Sequence, residues 1–544
     1  MRRSVRRAVI GGVFAGMVGV AGVGAFNLYE GVTGGGSGGA SGLAAHAAPG
    51  ETGPPTAAET ADTARDFLDA WAKGDYDRAG ALTNDSTGAS EALAAYRSKA
   101  HVSAVRLTAG TAQGASVPFA VRATLTYEGK RSTWSYDSAL SVFRGETTHK
   151  PLVDWQPSVL HPKLSQGQSL ETGRTASPRV VVVDRNGKRL DADSLPSLEG
   201  ALTQLSERYA DRASGGKPGI ETWIDSDDGS EGESLHVITR GTPATLPTTL
   251  DARLQAAAEK AVARRPQASV AAVDTGTGGV LAFANSSAAG NNAFGAAVAP
   301  GSTFKIVTAT ALLKAGVRPS TPAPCPATAN VDNGKMFHNV ESSSEPAATF
   351  QRDFAISCNT GFIKLSGNLD DSSVPDAART YYGFGQTWNV GLPAYDGSVP
   401  GGTGDETTEE MIGQGRIQMS PLNMAAVAAT VQNGTFHQPR IVAAGLLDGP
   451  LATATAPLPY GVRADLRSMM HLTARSGTAA AAMASVPGSD VGAKTGSAEV
   501  DGQTTPNGWF TAYRGRVAAA GLVLQGGHGG DSAGPVVAAV LNAS

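Results

Sequence analysis

Arg2, Arg3, Arg6 and Arg7 stand directly before an uncharged run from Ala8 to Phe26, and that pairing constrains the rest of the chain more than any other feature. At about 1.5 Å per residue a helix over this run just crosses a hydrocarbon core of roughly 30 Å, and the basic flank holds its own end in the cytoplasm. Everything after the run is therefore expected to fold outside the cytoplasm. The run is Gly-rich and weakly apolar, so it reads either as a retained single-pass anchor, which we favour, or as the core of a cleaved signal peptide that would leave a secreted form. The small-residue candidate Ala45-His46-Ala47 lies almost twenty residues beyond Phe26, too far for a conventional cleavage site. No Cys directly follows the run to accept a lipid, and the Gly12 to Gly16 spacing reads as chance in a run this rich in Gly. From Thr33 to Pro55 the residues are mostly Gly, Ser, Ala and Pro, a composition that cannot order itself and reads as a flexible tether.

Composition narrows the function classes. Lys and Arg number 44 against 48 Asp and Glu, a net charge of -4, so no basic stripe points to nucleic acid. The 68 Gly and 30 Pro stay below the roughly 25–30% that marks low-complexity disorder, and 41% hydrophobic residues support several domains with cores. Cys325 and Cys358 are too few for a disulfide scaffold and lack zinc-site spacing; a disulfide between them and a buried small-hydrophobe role for Cys358 are equally open. The nine His lie far apart without a metal-type pair, so neither a metal nor a cofactor is expected.

Ala64, Phe67, Leu68 and Trp71 fall on one helical face that Gly74 can end, and a second short helix is expected from Asp75 to Leu82. Phe119, Val121, Ala123, Leu125 and Tyr127 then alternate as a half-buried strand, with Trp134, Tyr136, Val142 and Phe143 marking further strands. The pattern is α+β, helices on a curved antiparallel sheet, and its aromatic stripe reads as core. Val180 to Asp184 followed by Asn186-Gly187 reads as a strand entering a tight hairpin turn. Leu198, Leu202, Leu205 and Tyr209 make a helical stripe, and the acidic stretch Asp225 to Glu233 reads as a solvated loop.

From Thr249 a helix is signalled, followed by a hairpin over Ser269 to Val273 and Val280 to Ala284. Ala299-Pro300-Gly301-Ser302-Thr303-Phe304-Lys305 then leads into an apolar helical run to Leu313. Ser302 falls in the first turn of that helix, where free N–H groups favour a developing negative charge, and Lys305 shares its face. A serine nucleophile with an amine base needs this arrangement, provided the Lys is made neutral by desolvation or by a second cation such as Lys494. A lone S-x-x-K is weak, its bland reading being a capping Ser before a solvated Lys. Two further segments decide the matter: Ser357-Cys358-Asn359 about 55 residues later, and Lys494-Thr495-Gly496 about 137 residues after that.

These three motifs in this order resemble the penicillin-interacting serine transpeptidases and β-lactamases. The words PGSTFKI, SCNTGF, IGQGRIQMSPLNMA, KTGSAEV and GWFTAY resemble class B penicillin-binding proteins. The segment Trp155-x-Pro157-x-x-x-His161-Pro162-x-Leu164 resembles the exit from the nuclear-transport-factor-like N-terminal domain of their low-affinity members. The resemblance covers about 57 to 544. It implies a multidomain α+β chain: a membrane anchor over 1–30, a linker over 31–56 and a nuclear-transport-factor-like cone domain over 57–170. A small pedestal domain over 171–245 and a serine β-lactamase-like transpeptidase domain over 246–544 complete it.

Residue by residue, the resemblance makes Ser302 the nucleophile and Lys305 the general base, forming an acyl-enzyme on a D-Ala-D-Ala stem peptide. Ser357 relays protons, and Asn359 holds Lys305 and a substrate amide. Lys494 and Thr495 bind the terminal carboxylate, Gly496 leaves room for it, and the N–H groups of Ser302 and Ser497 form the oxyanion hole. Gln414, Gly415 and Gln418 read either as cleft wall or as structural, and Trp509 and Tyr513 as core. The expected partners are peptidoglycan stem peptides, β-lactams, the membrane, a separate glycosyltransferase and cell-wall or division proteins, with antibiotic resistance implied by the low-affinity group. A hydrolase (D,D-carboxypeptidase or β-lactamase) is less favoured, because no E-x-x-L-N segment lies between the second and third motifs and Glu409-Glu410 sits in transpeptidase-like wording. A penicillin-binding sensor or division scaffold without turnover is the third reading.

Overall fold

The computed structural model describes residues 53–226, 231–286, 290–330 and 335–544. The anchor run and most of the tether lie outside the described residues, and among those described no helix is long and apolar enough to cross a membrane. The chain forms two compact units, one of residues up to 89 with 109–119 and 139–155, the other of 90–108, 120–138 and 156–544.

In the first unit, helix α1 (Ala57–Lys73) starts at a reciprocal cap between Thr56 and Glu59 and ends at left-handed Gly74, as the sequence predicts. It buries Ala64, Phe67, Leu68 and Trp71. Phe67 packs on Trp155 at 6.3 Å and Trp71 meets Phe119 edge-on at 6.0 Å, so the aromatic stripe is core. Helix α2 (Tyr76–Ala81) follows, and Arg144 clamps Glu59 at 2.8 Å. Helix α3 (Ser86–Ser98) and strands β1 (Val102–Ala109), β2 (Ser116–Tyr127) and β3 (Lys130–Arg144) fall partly or mostly in the second unit; with β4 (Pro151–Asp154) the strands form one four-stranded sheet in chain order.

In the second unit, strand β5 (Gln168–Arg174) pairs with β7 (Ile220–Ser226), which pairs with β8 (Glu231–Thr239). The acidic stretch expected as a loop is thus strand at both ends, with Asp225 opposite Glu231, while 227–230 lie outside the described residues. Strand β6 (Val181–Val183) enters the Asn186-Gly187 turn as expected, but its main partner is the parallel strand β9 (Thr245–Pro247). The return arm of that turn makes only one bridge, Val183 to Arg189. Helix α4 (Glu199–Arg208) buries Leu205, with Leu198 and Tyr209 buried at its two ends.

Helix α5 spans Ala252–Val262, starting later than the sequence pattern suggested because Asp251 caps it and Thr249 donates to Val280 and Arg440 carbonyls. The largest sheet is antiparallel. Its strands are β10 (Ala268–Asp274), β11 (Val280–Asn285), β14 (Val491–Ala498), β15 (Asn507–Arg514) and β16 (Val517–Val523), in the order β11-β10-β16-β15-β14. Both its faces are covered. Ala271, Val273, Trp509, Tyr513, Ala520 and Leu522 enter one core, and Val270, Ala272, Phe510, Ala512, Ala519 and Val523 the other, the period of two that a strand imposes. Strand β14 lies at one edge of this sheet.

Candidate active site

The nucleophile candidate sits on a forced turn. Gly301 has φ +53 and its N–H donates to the Gly413 carbonyl at 2.9 Å, while a Cβ placed on it would stand 2.7 Å from the Ser497 carbonyl oxygen. Only glycine is comfortable there. Residues Gly301–Phe304 form a 3-10 turn, and helix α6 (Lys305–Lys314) begins at Lys305. Ser302 therefore precedes the α-helix proper, whereas the sequence placed it in the first α-helical turn. Helix α6 is apolar on every side and buried from Lys305 to Leu313, so Lys305 is carried into the core with it.

Helix α7 (Phe350–Ile356) ends at Ser357, whose φ of +65 turns the chain back so that the Cys358 N–H meets the Asp353 carbonyl at 2.9 Å. Helix α8 (Asn359–Lys364) starts immediately afterwards. The reversal aims two carbonyls and one side chain at Lys305. Its Nζ donates to the Ser357 carbonyl at 2.9 Å, the Cys358 carbonyl at 3.1 Å and Asn359 Oδ1 at 2.7 Å. Lys494 approaches the same turn from β14, donating to Ser357 Oγ at 2.8 Å and to the Thr495 carbonyl at 3.0 Å. Thr495 Oγ1 lies 2.6 Å from Thr478 Oγ1. Gly496 lies against the nucleophile turn: a Cβ on it would sit 2.9 Å from the Pro300 carbonyl oxygen and 3.0 Å from the Thr303 nitrogen. All three motifs are thereby joined in one site.

Both lysines are fully buried, and that sets their chemistry. Burial pushes Lys305 well below the usual lysine range, the neighbouring Lys494 charge pushes it further, and Asp353 opposes them. Burial alone brings Lys494 down to about 7. Each ammonium also lies over a ring, Lys305 on Phe362 at 5.2 Å and Lys494 on Phe354 at 5.7 Å. A buried amine that readily loses its charge is what a general base beside a serine requires.

Cys325 and Cys358 form a disulfide with a Cα separation of 6.2 Å, so the central residue of the second motif is tied to a segment 33 residues upstream. The Asp353 carboxylate lies within 4.8 Å of both sulfurs, but bonded sulfurs offer no thiolate to a metal. Gln418 pairs its backbone with Ser398 and accepts from Tyr395 Oη at 3.1 Å, and Gly415 has φ +66 beside Glu409 and Glu410. Both are accounted for by these contacts. Trp509 and Tyr513 are buried core residues, as expected. Sequence reasoning missed Thr478, Gly413, Asp353 and Asn339. Gly413 was within a quoted word, but no local pattern announces the others.

The penicillin binding protein transpeptidase domain family matches residues 268–542, just over half of the chain. The chain belongs to the penicillin-binding protein transpeptidase family. A second family, the NTF2-like N-terminal transpeptidase domain, matches residues 59–168 of this penicillin-binding protein. It is 30% identical over 290 residues to the peptidoglycan D,D-transpeptidase PbpA of Mycolicibacterium smegmatis, covering 47% of this chain and 56% of that one. It is 29% identical over 283 residues to PbpA of Mycobacterium tuberculosis, with the same coverage of 47% and 56%. The match thus spans little more than half the length of these relatives. Among solved structures, a chain of a peptidoglycan synthase complex that coordinates polymerization and crosslinking aligns with a TM-score of 0.54 at 22% identity, covering 70% of this chain and 92% of that one. Pseudomonas aeruginosa PBP2 in complex with WCK 5153 aligns at 0.53 and 20% identity, covering 69% and 96%. The D,D-transpeptidase domain of an Eggerthella lenta peptidoglycan glycosyltransferase aligns at 0.51 and 21%, covering 68% and 98%. These likenesses establish the shared fold: a multidomain α+β chain with an NTF2-like N-terminal domain and a C-terminal transpeptidase domain.

Proposed function

We propose that this chain is a class B serine D,D-transpeptidase that cross-links peptidoglycan stem peptides and is acylated by penicillin at Ser302. The observation that carries the proposal is the buried Lys305, one helical turn from Ser302 and held at 2.7–3.1 Å by the Ser357-Cys358-Asn359 reversal. Ser302 Oγ attacks the carbonyl carbon of the D-Ala-D-Ala peptide bond, or of the lactam, and its proton passes to Lys305 Nζ, which takes it once the amine has given up one proton and with it one of its three donated hydrogen bonds. The oxyanion is met by the N–H groups of Ser302 and Ser497, each such donor being worth about 2.7–4 kcal/mol. The C–N bond breaks, and the departing amine takes a proton delivered through Ser357 Oγ, which Lys494 holds. The amine of a neighbouring stem then attacks the ester carbonyl, the bond to Ser302 Oγ breaks as the new amide forms, and the proton lost by the amine restores the serine hydroxyl. Edge strand β14 aligns the extended donor peptide, with Lys494 and Thr495 toward its terminal carboxylate and Gly496 leaving room for its approach.

The uncharged run at 8–26 anchors the chain, leaving the catalytic domain outside the cytoplasm, and 31–56 tethers it. Residues 57–170 act as a spacer and 171–245 as a pedestal beneath the domain over 246–544. Glycan polymerisation would come from a separate glycosyltransferase, with cell-wall or division proteins as further partners. Intact-mass spectrometry after benzylpenicillin, followed over hours beside Ser302→Ala, tests the reading. A persistent adduct lost in the variant is expected. Rapid adduct loss with drug turnover would favour a hydrolase, and the absence of acylation by either penicillin or a D-Ala-D-Ala thioester would overturn the assignment of Ser302.

A further inference from the structure

The acceptor that Asn359 offers to Lys305 is set from outside the three motifs. Strand β13 (Met336–His338), which pairs with β12 (Thr328–Asn330), ends at Asn339, a residue only 2% exposed. Asn339 Oδ1 accepts the backbone N–H groups of Asn359 at 2.8 Å and Thr360 at 3.1 Å. These are the first two N–H groups of α8, which have no partner within the helix. Asn339 Nδ2 donates to the Pro326 and Ser343 carbonyls, both at 2.8 Å. The amide therefore has one workable orientation, since exchanging O and N would set donor against donor and acceptor against acceptor. The carbonyl of the preceding His338 accepts from Asn359 Nδ2 at 3.1 Å, which turns Asn359 Oδ1 toward Lys305 Nζ at 2.7 Å.

The residue at the cap position of α8 is Cys358, whose sulfur accepts from Gly361 N–H at 3.1 Å and from Thr360 Oγ1 at 3.3 Å, and from neither of the helix's first two backbone N–H groups. Sulfur is a weak acceptor, so the first two N–H groups of the helix depend on Asn339. We propose that Asn339 is a positioning residue for Ser302 acylation, a helix cap supplied from a distant strand end that places Asn359 Oδ1 on Lys305. The inference rests on the acyl-transfer reading above. It assigns Asn339 no contact with substrate: it acts through Asn359.

The test is the second-order rate of benzylpenicillin acylation of the full chain for wild type, Asn339→Ala, Asn359→Ala and the double variant. Each single change should slow acylation by about a hundredfold, the loss expected when a reacting group is misplaced by about 1 Å. Because both act through one contact, the double variant should be no more than about threefold slower than Asn359→Ala. Losses that multiply, or an Asn339→Ala chain that acylates at the wild-type rate, would overturn the role. A residue that merely stabilised the fold would lower the melting temperature and give multiplying losses. Should Asn339→Ala fail to fold, Asn339→Asp decides. It keeps the acceptor and regains a donor only when protonated, so its rate relative to wild type should rise as pH is lowered toward about 5. A ratio independent of pH would overturn the role. Absence of a Ser302-dependent adduct in the wild-type chain would overturn the acyl-transfer reading and this role together, whereas a failure confined to the Asn339 variants would remove the role alone.

Discussion

Asp353 is fully buried, and among the described residues neither of its carboxylate oxygens has a hydrogen-bond partner. Gly361 makes room for it, since a Cβ there would sit 1.9 Å from Asp353 Oδ2. Burial raises its pKa to about 7, while the Lys305 charge works the other way and Glu345 adds to the rise. In the unfolded chain an Asp titrates near about 3.9. Between those two values the folded protein holds a proton that the unfolded chain has lost, so stability falls as pH rises through the window and levels off above about 7. Asp353→Asn should therefore raise the melting temperature at pH 8 and leave it unchanged below pH 4; equal slopes of melting temperature against pH in the two proteins would refute this. Lys494 carries a second prediction. With its pKa brought down to about 7, it loses its charge above neutrality, so KM for carboxylate-bearing substrates should climb through that pH. A KM independent of pH between 6 and 9 would count against the carboxylate role. At the nucleophile turn, Gly301→Ala forces a left-handed backbone onto a residue with a Cβ and pushes it 2.7 Å from the Ser497 carbonyl oxygen. Acylation should drop about a hundredfold with folding retained, measured by adduct formation and circular dichroism.

The elements around the second motif are held by a cross-link as well as by packing. The Cys325–Cys358 disulfide closes a loop of 33 residues, for which chain entropy gives about 3–4 kcal/mol of stabilisation. Replacing both Cys by Ser should lower the urea midpoint by the corresponding amount, and an unchanged midpoint would show that the unfolded loop is already restricted. Spacing alone could not choose between this bond and a buried thiol for Cys358, because pairing depends on where two Cα atoms end up. Helix α1 was legible throughout, since its cap, apolar stripe and terminal Gly are all local signals. The main partner of β6 was not. A parallel pairing with β9 joins segments more than sixty residues apart, and no turn signal announces it. The start of α5 shifted for a related reason: Thr249 fits a helical pattern, yet its hydroxyl is engaged by carbonyls of Val280 and Arg440.

At the scale of the whole molecule, the five-stranded sheet sorts its residues between two cores and carries the third motif on its edge. Since the candidate site is assembled from residues between 300 and 497, all in the second unit, a chain beginning at Gly53 should acylate at the full-chain rate and, under the proposed anchor, no longer sediment with membranes. Loss of acylation in that truncated protein would assign the first 52 residues a part in the site. The three motifs, their order and their flanking words pointed to the proposed chemistry from sequence, because a nucleophile, an amine and their partners must be present as residue types whatever the fold. Gly301, Ser302 and Lys305 were readable together, being neighbours at one helix start. Tertiary structure alone decided the environment that this proposal requires. It buried both lysines so that their pKa values fall, joined Cys325 to Cys358, and brought Asn339, Thr478 and Asp353 to the site. Burial and hydrogen-bond partnership are properties of the packed chain, set by segments far apart in sequence, and no local pattern of residues encodes them.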